Sequence, residues 1–135
     1  MRDRDDMTFS MAEHARRLGD LRRRMAERRI EVAVITDPEN LCYLTEYQTT
    51  GYSYFQCLVV PLEGEPFMIT RRLEETNVHA RTWVELTRPY SDTGDAIETL
   101  WHALKEFGLD HHVIGYERNS YFFPAYQQDR MRSTF

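Results

Sequence analysis

The sequence predicts an α/β domain, and three observations carry that prediction. A long arginine-rich amphipathic helix runs directly into a short apolar stretch, Val32-Ala-Val-Ile-Thr36, rich in β-branched residues. Two further apolar runs, Phe55–Val60 and Pro66–Thr70, are separated by the turn Leu62-Glu-Gly-Glu65 and read as a hairpin. Helical and strand patterns then alternate to the end of the chain.

In order along the chain, Ser10-Met-Ala-Glu13 is a capping box, and Met11, Ala15, Leu18, Leu21 and Met25 recur at spacings of four and three, predicting a helix from about Met11 to Arg29. Its arginines fall mainly off that stripe, on solvent or on a partner subunit. Val32–Thr36 fits a strand buried on both faces. Asp37-Pro-Glu-Asn40 starts a short helix over roughly Pro38 to Leu44, with Asp as cap and Pro at the first helical position. After the hairpin, Arg71 to Ala80 forms a short helix, and Thr82-Trp-Val-Glu-Leu-Thr87 alternates as a strand. Ile97, Leu100, Trp101, Leu104 and Phe107 mark a second long helix stopped by Gly108, with Trp101 and Leu104 expected in the core. Val113-Ile-Gly-Tyr116 is the last strand, and a final helix near Pro124 closes the sequence.

With 135 residues the chain fits one domain, and 41% hydrophobic against 29% charged residues separates it from disordered and low-complexity classes. Residues 1–10 are expected as a disordered tail ahead of a domain spanning 11–135. No apolar run approaches the ~18 residues of a membrane span, and Met-Arg-Asp-Arg-Asp-Asp is not a secretory signal, so a cytoplasmic protein without membrane contact is expected. Cys42 and Cys57 lack zinc-site or redox spacing and read as reduced thiols. The net charge of -5 argues against a nucleic-acid partner, although nine arginines fall within the first 29 residues against six acids.

Residues that carry chemistry are scarce. The six glycines form no phosphate loop, and neither GxSxG nor HExxH occurs. His14, His79, His102, His111 and His112 are scattered, and the adjacent pair would point to opposite faces of a strand. Glu74-Glu75 and Asp92 with Asp95 suit helix starts as well as acid/base work. No catalytic residue and no metal ligand is assigned. The conspicuous segment is Tyr47 to Tyr54, with three tyrosines, two threonines, a serine and Gly51 between buried elements. Such a loop suits a ligand pocket or subunit interface, or is an aromatic loop packing on its own sheet. Asn119-Ser-Tyr-Phe-Phe-Pro124 reads as aromatic packing over the sheet.

Several strings resemble the N-terminal domain of the creatinase, prolidase and aminopeptidase P family of pita-bread metallohydrolases. They are Thr36-Asp-Pro-Glu-Asn-Leu-Cys-Tyr-Leu-Thr45, Leu58-Val-Val-Pro61 and Ile114-Gly-Tyr-Glu117. The resemblance extends from about Met11 to Phe135 and implies a three-layer fold with a mixed sheet of about five to six strands flanked by helices. Glu46 departs from it, standing where many relatives have Gly.

The resemblance also implies a function. In that family two divalent metals (Mn, Zn or Co) are held by Asp, His and Glu ligands in a C-terminal catalytic domain, so this chain is expected to be the non-catalytic N-terminal domain of a longer Xaa-Pro dipeptidase- or aminopeptidase-like hydrolase. Its expected partners are that catalytic domain and a second copy in a homodimer, in which part of one subunit's N-terminal domain reaches the other's active site. Tyr52 and Tyr54 match positions where creatinase-like relatives carry an aromatic and an arginine that meet substrate. With Tyr47 they are the expected substrate-gating residues, exposed at the loop surface. Tyrosine in place of arginine argues against a creatine carboxylate and for an Xaa-Pro dipeptide or a cyclic amide such as ectoine. The alternative is a stand-alone binding or regulatory module of the same fold.

Overall fold

The computed structural model describes all residues from Met1 to Phe135. Helices α1 (Met11–Glu27), α2 (Pro38–Thr45), α3 (Glu75–Arg81), α4 (Ala96–Glu106) and α5 (Ala125–Thr134) alternate with strands β1 (Val32–Ile35), β2 (Cys57–Pro61), β3 (Phe67–Ile69), β4 (Leu86–Thr87) and β5 (Ile114–Tyr116). The strands form one five-stranded sheet in the order β4-β3-β2-β1-β5. β2 runs antiparallel to β1 and β3, whereas β1 with β5 and β3 with β4 are parallel, so the sheet is mixed, as expected.

Alternation along the strands divides the core into two layers. Val32, Val34, Cys57, Val59, Phe67 and Ile69 face α4 and α5, where they meet Ile97, Leu100 and Leu104. Ala33, Ile35, Leu58, Val60 and Met68 face the other way, against Leu18 and Met25 of α1, Leu41 and Leu44 of α2 and Val78 of α3. β1 is buried along its whole length because helices cover both faces. The local start signals act as the sequence predicts: Ser10 Oγ accepts from Glu13 N at 3.1 Å, and Asp37 caps α2 through Glu39 N at 2.9 Å.

Two expectations need correction. Trp101 is only partly buried, lying over the outer side of the core and stacking on Phe135 with ring centroids 5.0 Å apart, while Leu104 is fully buried. The strand read over Thr82–Thr87 shrinks to Leu86–Thr87, because Thr82 and Trp83 close the end of α3 instead. Thr82 Oγ1 donates to Val78 O, and Trp83 Nε1 donates to Leu44 O at 2.9 Å. Residues 1–10 contain no helix or strand. The N-terminal ammonium meets Glu65, Arg2 N donates to Trp83 O at 2.7 Å, and the Arg4 guanidinium donates to Ala80 O at 2.9 Å and Thr82 O at 3.0 Å at the end of α3.

Candidate functional site

The topology gathers particular loops at one end of the sheet. β1, β3, β4 and β5 all finish where β2 begins, so residues 46–56, 70–74, 88–95 and 117–124 share that end. Five large hydrophobic side chains exposed in the chain lie on these loops or just after them: Tyr52, Tyr54, Leu73, Tyr121 and Tyr126. In α/β sheets the carboxyl ends of strands are where ligands meet the fold.

α2 delivers the chain to this end through Glu46, which takes a left-handed conformation with φ 64° although it is not glycine. The strain is offset by its carboxylate, which accepts from Thr8 N at 2.8 Å and Phe9 N at 3.0 Å and lies 2.6 Å from His14 Nε2. Burial alone would raise the carboxyl, but the bonds from Phe9 N, His14 and Thr8 outweigh it and hold it down to about 2.

Tyr47, expected at the surface, is buried at 2% exposure. Its ring fills space beside Leu44 in the α1-side core, and its hydroxyl lies 3.2 Å from Gln56 Oε1 and 3.3 Å from Glu74 Oε2. Burial pushes the phenol up, and the Glu74 charge adds to the shift. Asn77 Nδ2 completes this polar seam by donating to Gln48 O at 2.9 Å and Glu74 Oε2 at 3.2 Å. Gly51 packs so closely on Glu74 that a Cβ would come within 2.6 Å of Glu74 Oε1, so a larger residue would displace the carboxylate that Tyr47 and Asn77 contact.

Beyond that base the loop presents its other two tyrosines to solvent, at 48% exposure for Tyr52 and 51% for Tyr54. Both rings are held. Tyr52 meets Phe122 edge to face at 5.4 Å. Tyr54 lies under the Arg71 guanidinium, 3.9 Å from its ring centroid, and Arg71 grips Asp92 through two hydrogen bonds of 2.8 and 3.1 Å. Asp92 neutralises Arg71, so at Tyr54 the loop offers an aromatic face and a hydroxyl beside an already paired cation.

A second device fixes the neighbouring segment. The carboxylate of Glu117, just after β5, accepts from Thr36 N, from Asp37 N at 2.8 Å and from Asn40 Nδ2, tying the end of β5 to the start of α2. This gives a physical reason for finding Asn40 and Glu117 in two of the three strings that carry the resemblance. Sequence reasoning named neither residue as functional, missed Arg71 and Asn77, and weighed Glu74 only as half of a carboxylate pair and Phe122 only as sheet packing, because their roles depend on contacts with other elements of the chain. Gly51, between Thr50 and Tyr52, was the one local signal of a close approach.

No three or more His, Cys, Asp or Glu side chains come together as a metal site. His14 is engaged by Glu46, and Asp95 caps α4 through Ile97 N and Glu98 N. Cys42 and Cys57 are free thiols, that of Cys57 pushed up by burial. No helix is long and apolar enough to cross a membrane.

Comparison with known proteins agrees with this architecture. The chain is 30% identical over 131 residues to the ectoine hydrolase of Halomonas elongata, in a match that takes in 88% of this chain and 32% of that protein. It therefore spans about a third of that relative. The N-terminal domain of a Xaa-Pro dipeptidase from Lactobacillus brevis superposes with a TM-score of 0.79 at 16% identity, covering 88% of this chain and 87% of that one. Dipeptidase PepE of Mycobacterium ulcerans superposes at 0.74 with 22% identity, covering 93% of this chain and 33% of that chain. At such identities these superpositions establish the shared fold. Residues 17–135 match the creatinase/prolidase N-terminal domain, and the chain belongs to that family.

Proposed function

We propose that this chain is the non-catalytic N-terminal domain of an amide- or peptide-bond hydrolase and that Tyr52 and Tyr54 form an aromatic gate over the active site of a neighbouring subunit. The observation that carries the reading is the contrast within one loop: Tyr47 anchors it in the core, while Tyr52 and Tyr54 are half exposed yet individually braced by Phe122 and Arg71. Side chains held in fixed positions but left uncovered are suited to meeting another surface. Tyr47 thus serves the gate from beneath rather than touching substrate.

The likeness to an ectoine hydrolase and to Xaa-Pro dipeptidases supports a compact amide substrate, either an Xaa-Pro dipeptide or a cyclic amide of the ectoine kind. The Asp92-neutralised Arg71 agrees with a substrate whose carboxylate is not clamped at this loop. In this reading the two divalent metals belong to a catalytic domain outside these residues, no bond-breaking step is assigned to this chain, and the protein works as a cytoplasmic homodimer.

The test is kinetic, in the protein extended by its catalytic domain and assayed with ectoine and with an Xaa-Pro dipeptide. Tyr52→Ala and Tyr54→Ala should each lower kcat/KM about tenfold or more, a change of about 1.4 kcal/mol in transition-state binding, while stability changes by no more than about 1 kcal/mol. Unchanged kcat/KM in both variants would remove the gate from the account.

A further inference from the structure

We infer that the groove alongside α1 is a docking site for an acidic amphipathic helix of a partner protein. The groove lies away from the tyrosine loop. It is an open depression of about 630 Å³ lined by α1, β1 and β5, and continues into a second of about 470 Å³ toward α2, the two sharing Leu21, Arg24 and Ile35. Its floor is apolar: Leu21 and Ile30 are half buried, and Ile30 lies over Gly115, where a Cβ would come within 2.9 Å of it.

The charges along the groove are unevenly satisfied. Among the arginines of α1, Arg16 pairs with Glu13 and Asp20, and Arg23 pairs with Glu27 and Asp20. Arg17 lies over the rings of Phe9 and Tyr43, and Arg22 donates to the carbonyls of Pro61 and Gly64. Arg24 and Arg28, one helical turn apart and both lining the groove, are exposed and make no side-chain hydrogen bond or ion pair. The carboxylates beside them are already occupied: Glu117 takes Thr36 N, Asp37 N and Asn40, Asp20 takes Arg16, and Glu27 takes Arg23. What remains is two free cations on the rim of an apolar trough, in a chain whose net charge is -5.

The complement of that surface is an apolar stripe flanked by Asp or Glu. From Arg17 to Arg28 the trough follows α1 for roughly 16 Å at 1.5 Å per residue, the length of about three helical turns. A helix packed beside α1 would seat its stripe on the half-buried Leu21 and Ile30 and bring its carboxylates to Arg24 and Arg28. Two free arginines are too few for a polyanion footprint, which sets a nucleic-acid strand aside as the occupant.

The probe is a synthetic 14-residue helical peptide with leucines at alternating spacings of three and four and glutamates flanking them, titrated into the isotope-labelled 135-residue chain and followed by amide NMR. Shifts at Leu21, Arg24, Ile35 and Gly115 are expected, with an otherwise identical glutamine peptide binding at least about tenfold more weakly. The double variant Arg24→Glu, Arg28→Glu should lose the glutamate peptide, keep its melting temperature, and gain a lysine peptide. That exchange separates a charge-matched site from a misfolded one. The inference is overturned by equal binding of the glutamine peptide, by shifts confined to the tyrosine loop or the outer edge of β5, by tighter binding of duplex RNA, or by no binding at millimolar peptide.

Discussion

His14 Nε2 lies 2.6 Å from Glu46 Oε2, joining a fully buried histidine of α1 to the left-handed residue that ends α2. The same carboxylate holds Thr8 N and Phe9 N, so one side chain couples the N-terminal segment, α1 and the entry to the tyrosine loop.

That coupling has a pH signature. The Glu46 carboxyl is held down to about 2 from an ordinary 4.5, so the folded state binds its proton less readily than the unfolded chain. Its stabilisation is complete above the unfolded value and is lost as pH falls from about 4.5 toward 2, and at neutral pH it amounts to about 3 kcal/mol. Urea titrations at pH 7, 4 and 3 should show this loss, and Glu46→Gln should be less stable at pH 7 with a flatter acid limb. An unchanged acid limb in the variant would place the effect elsewhere.

Glu46→Gly tests strain against bonding at the same position. Glycine relieves the left-handed backbone, worth about 1 kcal/mol, but removes the acceptor of three contacts. The expected result is a net loss of stability, with faster amide exchange at Thr8 and Phe9. A stabilised variant with protected amides would contradict it.

Leu104→Ala, at a fully buried site facing β3, should cost about 2–5 kcal/mol, whereas Trp101→Ala, at a partly buried site whose ring rests on Phe135, should cost less. Denaturant midpoints of the two variants rank them directly, and a larger loss at Trp101 would mean that the helix is rotated from its described phase.

Tyr47→Phe removes a hydroxyl from the seam between Gln56 and Glu74 and should cost about 1–3 kcal/mol, since Gln56 is itself buried. Tyr52→Ala forfeits only an exposed edge-to-face contact and should stay within about 1 kcal/mol. Thermal melts compare them, and equal losses would erase the distinction between anchor and gate.

Much of the fold was legible because its signals are local. The α1 and α4 stripes, the apolar run of β1 and the caps Ser10 and Asp37 each declare themselves within a few residues. Thr82 and Trp83 misled because their alternation satisfies a strand pattern, while their polar atoms are spent on Val78 O and Leu44 O. The tyrosine loop was visible by composition but not by orientation. Tyr47, Tyr52 and Tyr54 are one residue type in one segment, and only Gln56 and the distant Glu74, Arg71 and Phe122 decide which ring turns inward.

The gate itself is tested most directly by mixing subunits of the extended protein. One subunit carries Tyr52→Ala and Tyr54→Ala with its metal ligands intact, and the other carries intact tyrosines but lacks a metal ligand. If the loop covers the neighbour's site, random co-assembly restores about a quarter of wild-type activity, because half of the dimers are mixed and each has one complete site. If the mixture shows no more activity than the tyrosine variant alone at the same dilution, the loop does not act across the dimer and the central claim fails.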